Sequence, residues 1–423
     1  MSKPHKRVSK VDREILNLKN TSELEEKLRP LTDEEMNRLN RPSYTIESSK
    51  EGVDRRLNYL AEQGIEFNYL NGNTSIDASE TFKGNIENFI GMAQIPVGLA
   101  GPLWINGKNA TGEFYIPLAT TEGALIASYN RGMRAIKMGH GISTLCLSEG
   151  VQRSPYFKFE NIGTVGLFIT WVYEQRQKFH ELVADSSRFA KLIEITTKVE
   201  GNSVILTFEY TTGDAAGQNM VTICTDRICK YIISNFSIKP LEWYIESNYS
   251  GDKKATALSF SNVRGKKVTS EVVIPRSVVE RVLQSTPEKM VKYCRASTLA
   301  VAQSGAIGIQ GHIANGLTAL FIACGQDVAC ISESSVGITR MEITEQGDLY
   351  TAVTLPSLIV GTVGGGTSLP TQKECLEMLD CFGIGKALKF AEICCAVALA
   401  GELSIVAAMS VDHFTRAHRK LGR

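Results

Sequence analysis

Apolar residues recur along this chain at changing periods, and the changes divide it into regions. Up to about residue 70 the chain is polar and charged. Helical spacing around Ile15, and again from Glu51 to Glu62, predicts a small helical N-terminal region over residues 1–70. Ile95 to Pro102 reads as a strand broken by turn residues. A helix is predicted after Thr120-Thr121-Glu122-Gly123. Its stripe is Leu125, Ile126, Tyr129, Met133 and Ile136, with Ser128, Asn130, Arg131 and Arg134 on other faces.

From 163 to 247 the period changes repeatedly. Val165 to Trp171 reads as a strand and Glu174 to Ala184 as a helix. Leu192 to Val199 and Ser203 to Tyr210 read as a hairpin turning at Gly201-Asn202, Gly217 to Ser234 as a helix, and Leu241 to Ile245 as a closing strand. The order β-α-β-β-α-β is the ferredoxin-like split arrangement. Beyond 250 the pattern is mixed again. Ile309, Ile313, Leu317, Leu320, Phe321 and Cys324 mark a helix that stops at Gly325. Strands near Thr351 to Val360 lead into a glycine cluster at Gly361 to Gly366, and a long helix of small residues runs from about Lys386. The expected fold class is α+β. A large mixed α/β substrate-binding domain (71–160 and 248–423) holds an inserted ferredoxin-like domain (161–247).

Composition narrows the function. The chain is 43% hydrophobic and 22% charged over 423 residues, enough for a large core and two or three domains. A net charge of +1 gives no reason to expect nucleic acid or an anionic membrane as partner. The basic run Lys3 to Lys10 reads as a solvated arm. No secretory signal is evident. The most apolar stretch, Ile393 to Val411, carries Glu402, which argues against a transmembrane helix. The ten cysteines form no CxxC pair, so no metal site is expected, and reduced thiols in a cytoplasmic protein are the simple reading.

Several segments could carry chemistry, each with a plainer alternative. Thr212-Gly213-Asp214-Ala215-Ala216-Gly217 lies between a strand and a helix, where small residues and a helix N-terminus suit a phosphate. Ser186-Ser187-Arg188 offers hydroxyls and a guanidinium to a phosphomonoester. Ordinary turns would read the same way. The Gly361 to Gly366 cluster lets backbone pass close to a ligand, or makes a tight crossing; it is neither a Walker loop nor a GxGxxG fingerprint. Glu122 is a functional acid or a capping carboxylate, Asp252-Lys253-Lys254 a charged site or a solvated loop, and Asp327 a site acid or a turn former. His413 and His418, five residues apart, fall on different helix faces, so at most one faces a given site.

Together these segments resemble 3-hydroxy-3-methylglutaryl-CoA (HMG-CoA) reductases. The resemblance runs from about Glu87 to the C-terminus, through Glu87-Asn88-Phe89-Ile90-Gly91, Ile95 to Pro102, Thr120 to Gly132, Asp214 to Met220, Asp252-Lys253-Lys254, Gly325-Gln326-Asp327, Gly361 to Thr367 and Leu399 to Ser404. The Asp-Lys-Lys placement resembles the class I form, here a soluble prokaryotic type. The resemblance implies reduction of HMG-CoA by two NADPH to mevalonate, with CoA released. It assigns catalysis to Glu122, Lys253, Asp327 and His418. Lys253 would neutralise the oxyanion left by hydride addition, Glu122 would protonate the aldehyde oxygen, and Asp327 would set the charge balance. His418 would protonate the CoA thiolate, under a C-terminal flap that closes over the site.

For NADPH the resemblance implies Ser187 and Arg188 at the 2′-phosphate, Asp214, Ala215, Ala216, Gly217, Gln218 and Asn219 along the dinucleotide, and Gly364 and Gly365 nearby. For CoA it implies Ser128, Asn130, Arg131 and Arg134. For the HMG end it implies Asp252, Lys254, His312 and Asn315, with a family arginine falling on Lys158 and Arg153 close by. The partners implied are HMG-CoA, CoA and further copies of the chain, in a homodimer or homotetramer with shared active sites and Glu87 to Gly91 near the interface. Three departures stand out. Ala216 and Gln218 replace two methionines of the family segment. A family lysine for the HMG carboxylate falls on Ser297, with Arg295 the nearest cation. A family serine falls on Glu246, an acid that would repel the substrate carboxylate unless Arg295 or Lys158 neutralises it.

Overall fold

The computed structural model describes residues 21–38 and 49–411. The basic arm, the expected helix around Ile15, His413 and His418 lie outside the described residues. Ten strands form one connected sheet: β1 (Val97–Gly107), β2 (Thr111–Ala119), β3 (Ile142–Arg153), β4 (Tyr156–Lys158), β5 (Lys191–Glu200), β6 (Ser203–Thr211), β7 (Glu242–Tyr244), β8 (Gly265–Ile274), β9 (Ile338–Ile343) and β10 (Leu349–Leu358). The expected α+β class is observed. β3 joins the two parts of the sheet. Ile142 to Thr144 pair with β1 in parallel, Ser143 to Gly150 pair with β8 antiparallel, and the last three residues, Val151 to Arg153, pair with β6.

The smaller part runs β7-β4-β6 with β5 on the outer side of β6. In chain order its strands lie 4-1-3-2, so the ferredoxin-like expectation holds, with one correction. Val165 to Trp171 is not the first strand; it belongs to the helix Ile162–Glu174, capped by Asn161. Its β-branched and aromatic residues suggest a strand, but Val165, Phe168 and Val172 are the buried positions, a helical spacing that places Leu167 in solvent. The first strand is the short β4, which precedes residue 161. The helix expected from Glu174 is a second one, Arg176–Ser186, and the helix after β6 is Gln218–Asn235.

Three buried clusters follow from this layout among the described residues, a minor one at Leu60, Phe67, Tyr115 and Met378 and two large ones. The smaller of these two centres on Phe157, Phe168, Phe179, Phe208 and Tyr210. The larger centres on the helix Ala387–Ser410, which packs against Leu125–Met138 and the sheet. That long helix is apolar enough to cross a membrane by length and composition, yet 83% of its most apolar stretch is buried inside the fold. Its small residues permit very close packing: a Cβ on Gly132 would lie 1.8 Å from the Ala400 carbonyl oxygen. Ile309 lies outside the expected helix, which spans Ile313–Ala323, and bridges to Ile338 instead.

Candidate active site

The Asp252-Lys253-Lys254 turn follows Gly251, and Lys253 itself has φ +56. Its ammonium lies 2.8 Å from Asp327, whose own turn is closed by the Ala329 N–H at 3.0 Å. The hydrogen bond to Asp327 holds the Lys253 pKa above its ordinary value. Partial burial pushes the Asp327 carboxyl up, but Lys253 and the Ala329 amide outweigh it, so the net shift is downward. The pair is charged at neutral pH, and an ammonium held in this way is able to stabilise a developing oxyanion.

Beneath the turn lies a network that the sequence did not announce. Arg264, 3% exposed, donates to Asp252, to the Gln218 side-chain oxygen at 2.8 Å and to Glu333 at 3.4 Å. Arg153 donates to Asp252 at 3.1 Å, to Glu246 at 3.3 Å and to the Gln218 carbonyl at 3.3 Å. Glu246 is therefore neutralised by Arg153. Neither Arg295 nor Lys158 reaches it: Arg295 is exposed on the helix Pro287–Ser304, and Lys158 pairs with Glu242 at 3.0 Å on the exposed β4–β7 edge. Lys254 donates to its own turn, at the Asp252 carbonyl.

A second group gathers elsewhere. Asn315 donates to Glu122 at 2.9 Å. His312 stacks on Tyr129 with ring centroids 5.1 Å apart. Burial lowers the His312 pKa, opposed by the charge of Glu122 and a hydrogen bond with Asn315. Its Nε2 is buried without a partner among the described residues. Glu402 fixes this corner by accepting the Gly311 N–H at 2.9 Å and the Thr339 hydroxyl at 2.6 Å. Among the described residues no hydrogen bond or ion pair joins Glu122, His312 or Asn315 to Lys253 or Asp327.

The dinucleotide segment has a defined setting. The Asp214 carboxylate accepts the Gly385 and Ala387 N–H groups at 2.8 and 3.0 Å, so it anchors the start of the long helix. The two glycine-rich segments touch: Thr362 N–H donates to the Asp214 carbonyl at 2.8 Å, and a Cβ on Gly361 would lie 2.5 Å from the Ala216 nitrogen. Gly217, at φ +86, opens the helix Gln218–Asn235, which has no side-chain cap, leaving the first N–H groups open to an anion. Asn219 is exposed at that helix start. Gly213, Gly364 and Gly365 face open space, and Arg188 is exposed beside Ser187, whose oxygen accepts the Phe189 and Ala190 N–H groups. These features fit a dinucleotide phosphate.

Of the residues implied for CoA, three also bond within the fold. Arg131 donates to the Ser404 hydroxyl at 3.0 Å, Ser128 shares a hydrogen bond with that hydroxyl at 2.9 Å, and Asn130 accepts the Gly101 N–H at 2.7 Å. Arg134 is the exposed member. Among the described residues no cluster of three or more His, Cys, Asp or Glu could hold a metal ion.

Comparison with known proteins identifies the family and the fold. The family model described as hydroxymethylglutaryl-coenzyme A reductase matches residues 52–423. A 3-hydroxy-3-methylglutaryl-coenzyme A reductase of Pyrococcus abyssi is 44% identical over 386 residues, 89% of this chain and 92% of that one. The enzyme of Methanocaldococcus jannaschii is 42% identical over 381 residues, 89% and 94%. The fold is shared with the class II reductase from Streptococcus pneumoniae bound to NADPH in open conformations, at a TM-score of 0.66 and 18% identity over 85% of this chain and 97% of that one. The chain belongs to the hydroxymethylglutaryl-coenzyme A reductase family.

Proposed function

We infer that this chain reduces HMG-CoA to mevalonate with NADPH and releases CoA. HMG-CoA, two NADPH and two protons give mevalonate, CoA and two NADP+. The observation that carries the assignment to these residues is the Lys253–Asp327 pair at 2.8 Å, linked through Asp252 and Arg264 to Gln218 of the dinucleotide segment. NADPH, when bound, supplies hydride to the thioester carbon and then to the aldehyde carbon. Lys253 stabilises the negative charge on the carbonyl oxygen in each addition, and Asp327 keeps it protonated and placed. When the C–S bond breaks, His418 gives its proton to the departing thiolate. Glu122, held by Asn315, supplies the proton to the oxygen of the second reduction.

Arg188 and Ser187 take the 2′-phosphate, the Gly217–Gln218 helix start takes the pyrophosphate, and Arg295 takes the HMG carboxylate. The form is class I, supported by the Asp-Lys-Lys turn and by identity to the archaeal enzymes. We propose a dimer or higher oligomer in which Glu122, His312 and Asn315 of one subunit face Lys253 and Asp327 of the next, supported by the position of His312 and Asn315 at the start of the helix Ile313–Ala323 and of Asp327 beyond its other end. A cytoplasmic location fits the ten unpaired cysteines. Because Arg153 neutralises Glu246, that acid gives no reason to prefer another acyl-CoA. The test follows absorbance as NADPH is oxidised by HMG-CoA, beside NADH and other acyl-CoA thioesters. Two NADPH consumed per HMG-CoA, with NADH poor, is the expected result; no oxidation with HMG-CoA would overturn the assignment.

A further inference from the structure

Glu333 is a carboxylate to which the reaction above assigns no role. It lies on the short helix Ile331–Ser334, just beyond Asp327, and is 1% exposed. One oxygen accepts the Lys253 backbone N–H at 3.1 Å and the Arg264 Nε–H at 3.4 Å. Its other oxygen is buried with no partner among the described residues. The amide it holds belongs to a residue with φ +56. That left-handed backbone is strained for a residue with a side chain and persists only where the surroundings impose it. Here they do so from one segment: Glu333 grips the Lys253 backbone while Asp327 grips its ammonium.

We propose that Glu333 is a positioning residue for Lys253, its oxygen imposing the left-handed turn that aims the ammonium at the reacting carbonyl. The proposal rests on Lys253 acting at that carbonyl. Arg264 extends the device, because the guanidinium that touches Glu333 also touches Asp252 and Gln218. The turn and the start of the dinucleotide-binding helix are thereby set against one buried cation. Burial raises the Glu333 carboxyl pKa, and the Arg264 charge opposes the rise.

Two variants separate acceptor geometry from charge. Glu333→Gln keeps an oxygen for the Lys253 amide and puts its nitrogen where the present oxygen has no partner. Glu333→Asp keeps the negative charge near Arg264 but withdraws the oxygen by one methylene. Active sites are counted by NADPH titration, so an unfolded fraction does not enter kcat. The expected result is that Glu333→Asp lowers kcat by about 100-fold with the KM for NADPH unchanged, while Glu333→Gln keeps most of the activity. Wild-type kcat in Glu333→Asp, equal losses in both variants, or the reverse order would overturn the proposal. Lys253→Ala runs alongside. If it turns over normally, the reading of the site fails; if it is inactive while Glu333→Asp is fully active, only the positioning role fails.

Discussion

The ammonium of Lys253 lies 2.8 Å from the carboxylate of Asp327, although β8 and the helices Pro287–Ser304 and Ile313–Ala323 lie between the two residues along the chain. Replacing Asp327 by Asn removes the hydrogen bond that holds the Lys253 pKa up. Lys253 then loses its proton at lower pH, so an alkaline limb of the kcat profile that reports Lys253 moves down, from above the ordinary lysine value of about 10.4 toward it. An unmoved alkaline limb would separate Lys253 from the rate. For stability the signs are opposite. The raised Lys253 pKa contributes stability that is present below the unfolded lysine value and lost as pH rises through the folded one. The lowered Asp327 pKa contributes stability that is present above the unfolded value and lost as pH falls through the folded one. Both side chains are nearly half exposed, so screening holds the pair to about 1 kcal/mol or less. The effect to measure is catalytic.

Glu122 and Lys253 lie in groups that no hydrogen bond or ion pair connects among the described residues. If the site closes only between subunits, Glu122→Ala and Lys253→Ala each abolish activity, yet a mixture of the two recovers part of it. Random reassociation of equal parts into dimers makes half of them hybrids, each with one complete site of two, so about a quarter of wild-type activity returns. No recovery under conditions of proven subunit exchange would place both residues in one subunit's site.

Arg153 and Lys158 test the arginine assignment directly. Arg153 is buried between Glu246 and Asp252, so Arg153→Ala leaves two acids without that cation; the expected cost is about 3 kcal/mol of stability and a raised KM for HMG-CoA. Lys158→Ala breaks one exposed, solvent-screened pair, so the denaturation midpoint is expected not to move. Urea denaturation and steady-state kinetics on both variants decide it, and a larger kinetic effect at Lys158 would restore the sequence-based assignment.

Gly132→Ala places a methyl group against the Ala400 backbone, which sits in the middle of the long core helix and has nowhere to move. A loss of about 3 kcal/mol is expected, read as a lower denaturation midpoint. A neutral substitution would mean that the two helices separate easily.

The individual motifs were legible because their chemistry is local. A carboxylate after two threonines, an Asp-Lys-Lys turn and two glycine-rich segments keep their meaning wherever the fold puts them. The hairpin at Gly201-Asn202 was legible for the same reason, since alternation and turn residues are nearest-neighbour signals. Val165 to Trp171 was misread because β-branched and aromatic composition outweighed spacing, and only burial on one side reveals the helix.

The sequence by itself determined the fold class, the ferredoxin-like order and the residue types the chemistry needs. Tertiary structure decided which charges neutralise which. Glu246 and Lys158 looked like neighbours in function, yet β4 turns Lys158 toward Glu242 while β3 brings Arg153 to Glu246. Arg264 and Glu333 carried no signal, since a buried ionic hub and a solvated charge have the same spelling. The physical reason is range: turn and helix preferences act over a few residues, whereas ion pairing depends on distance and burial between segments far apart in the chain.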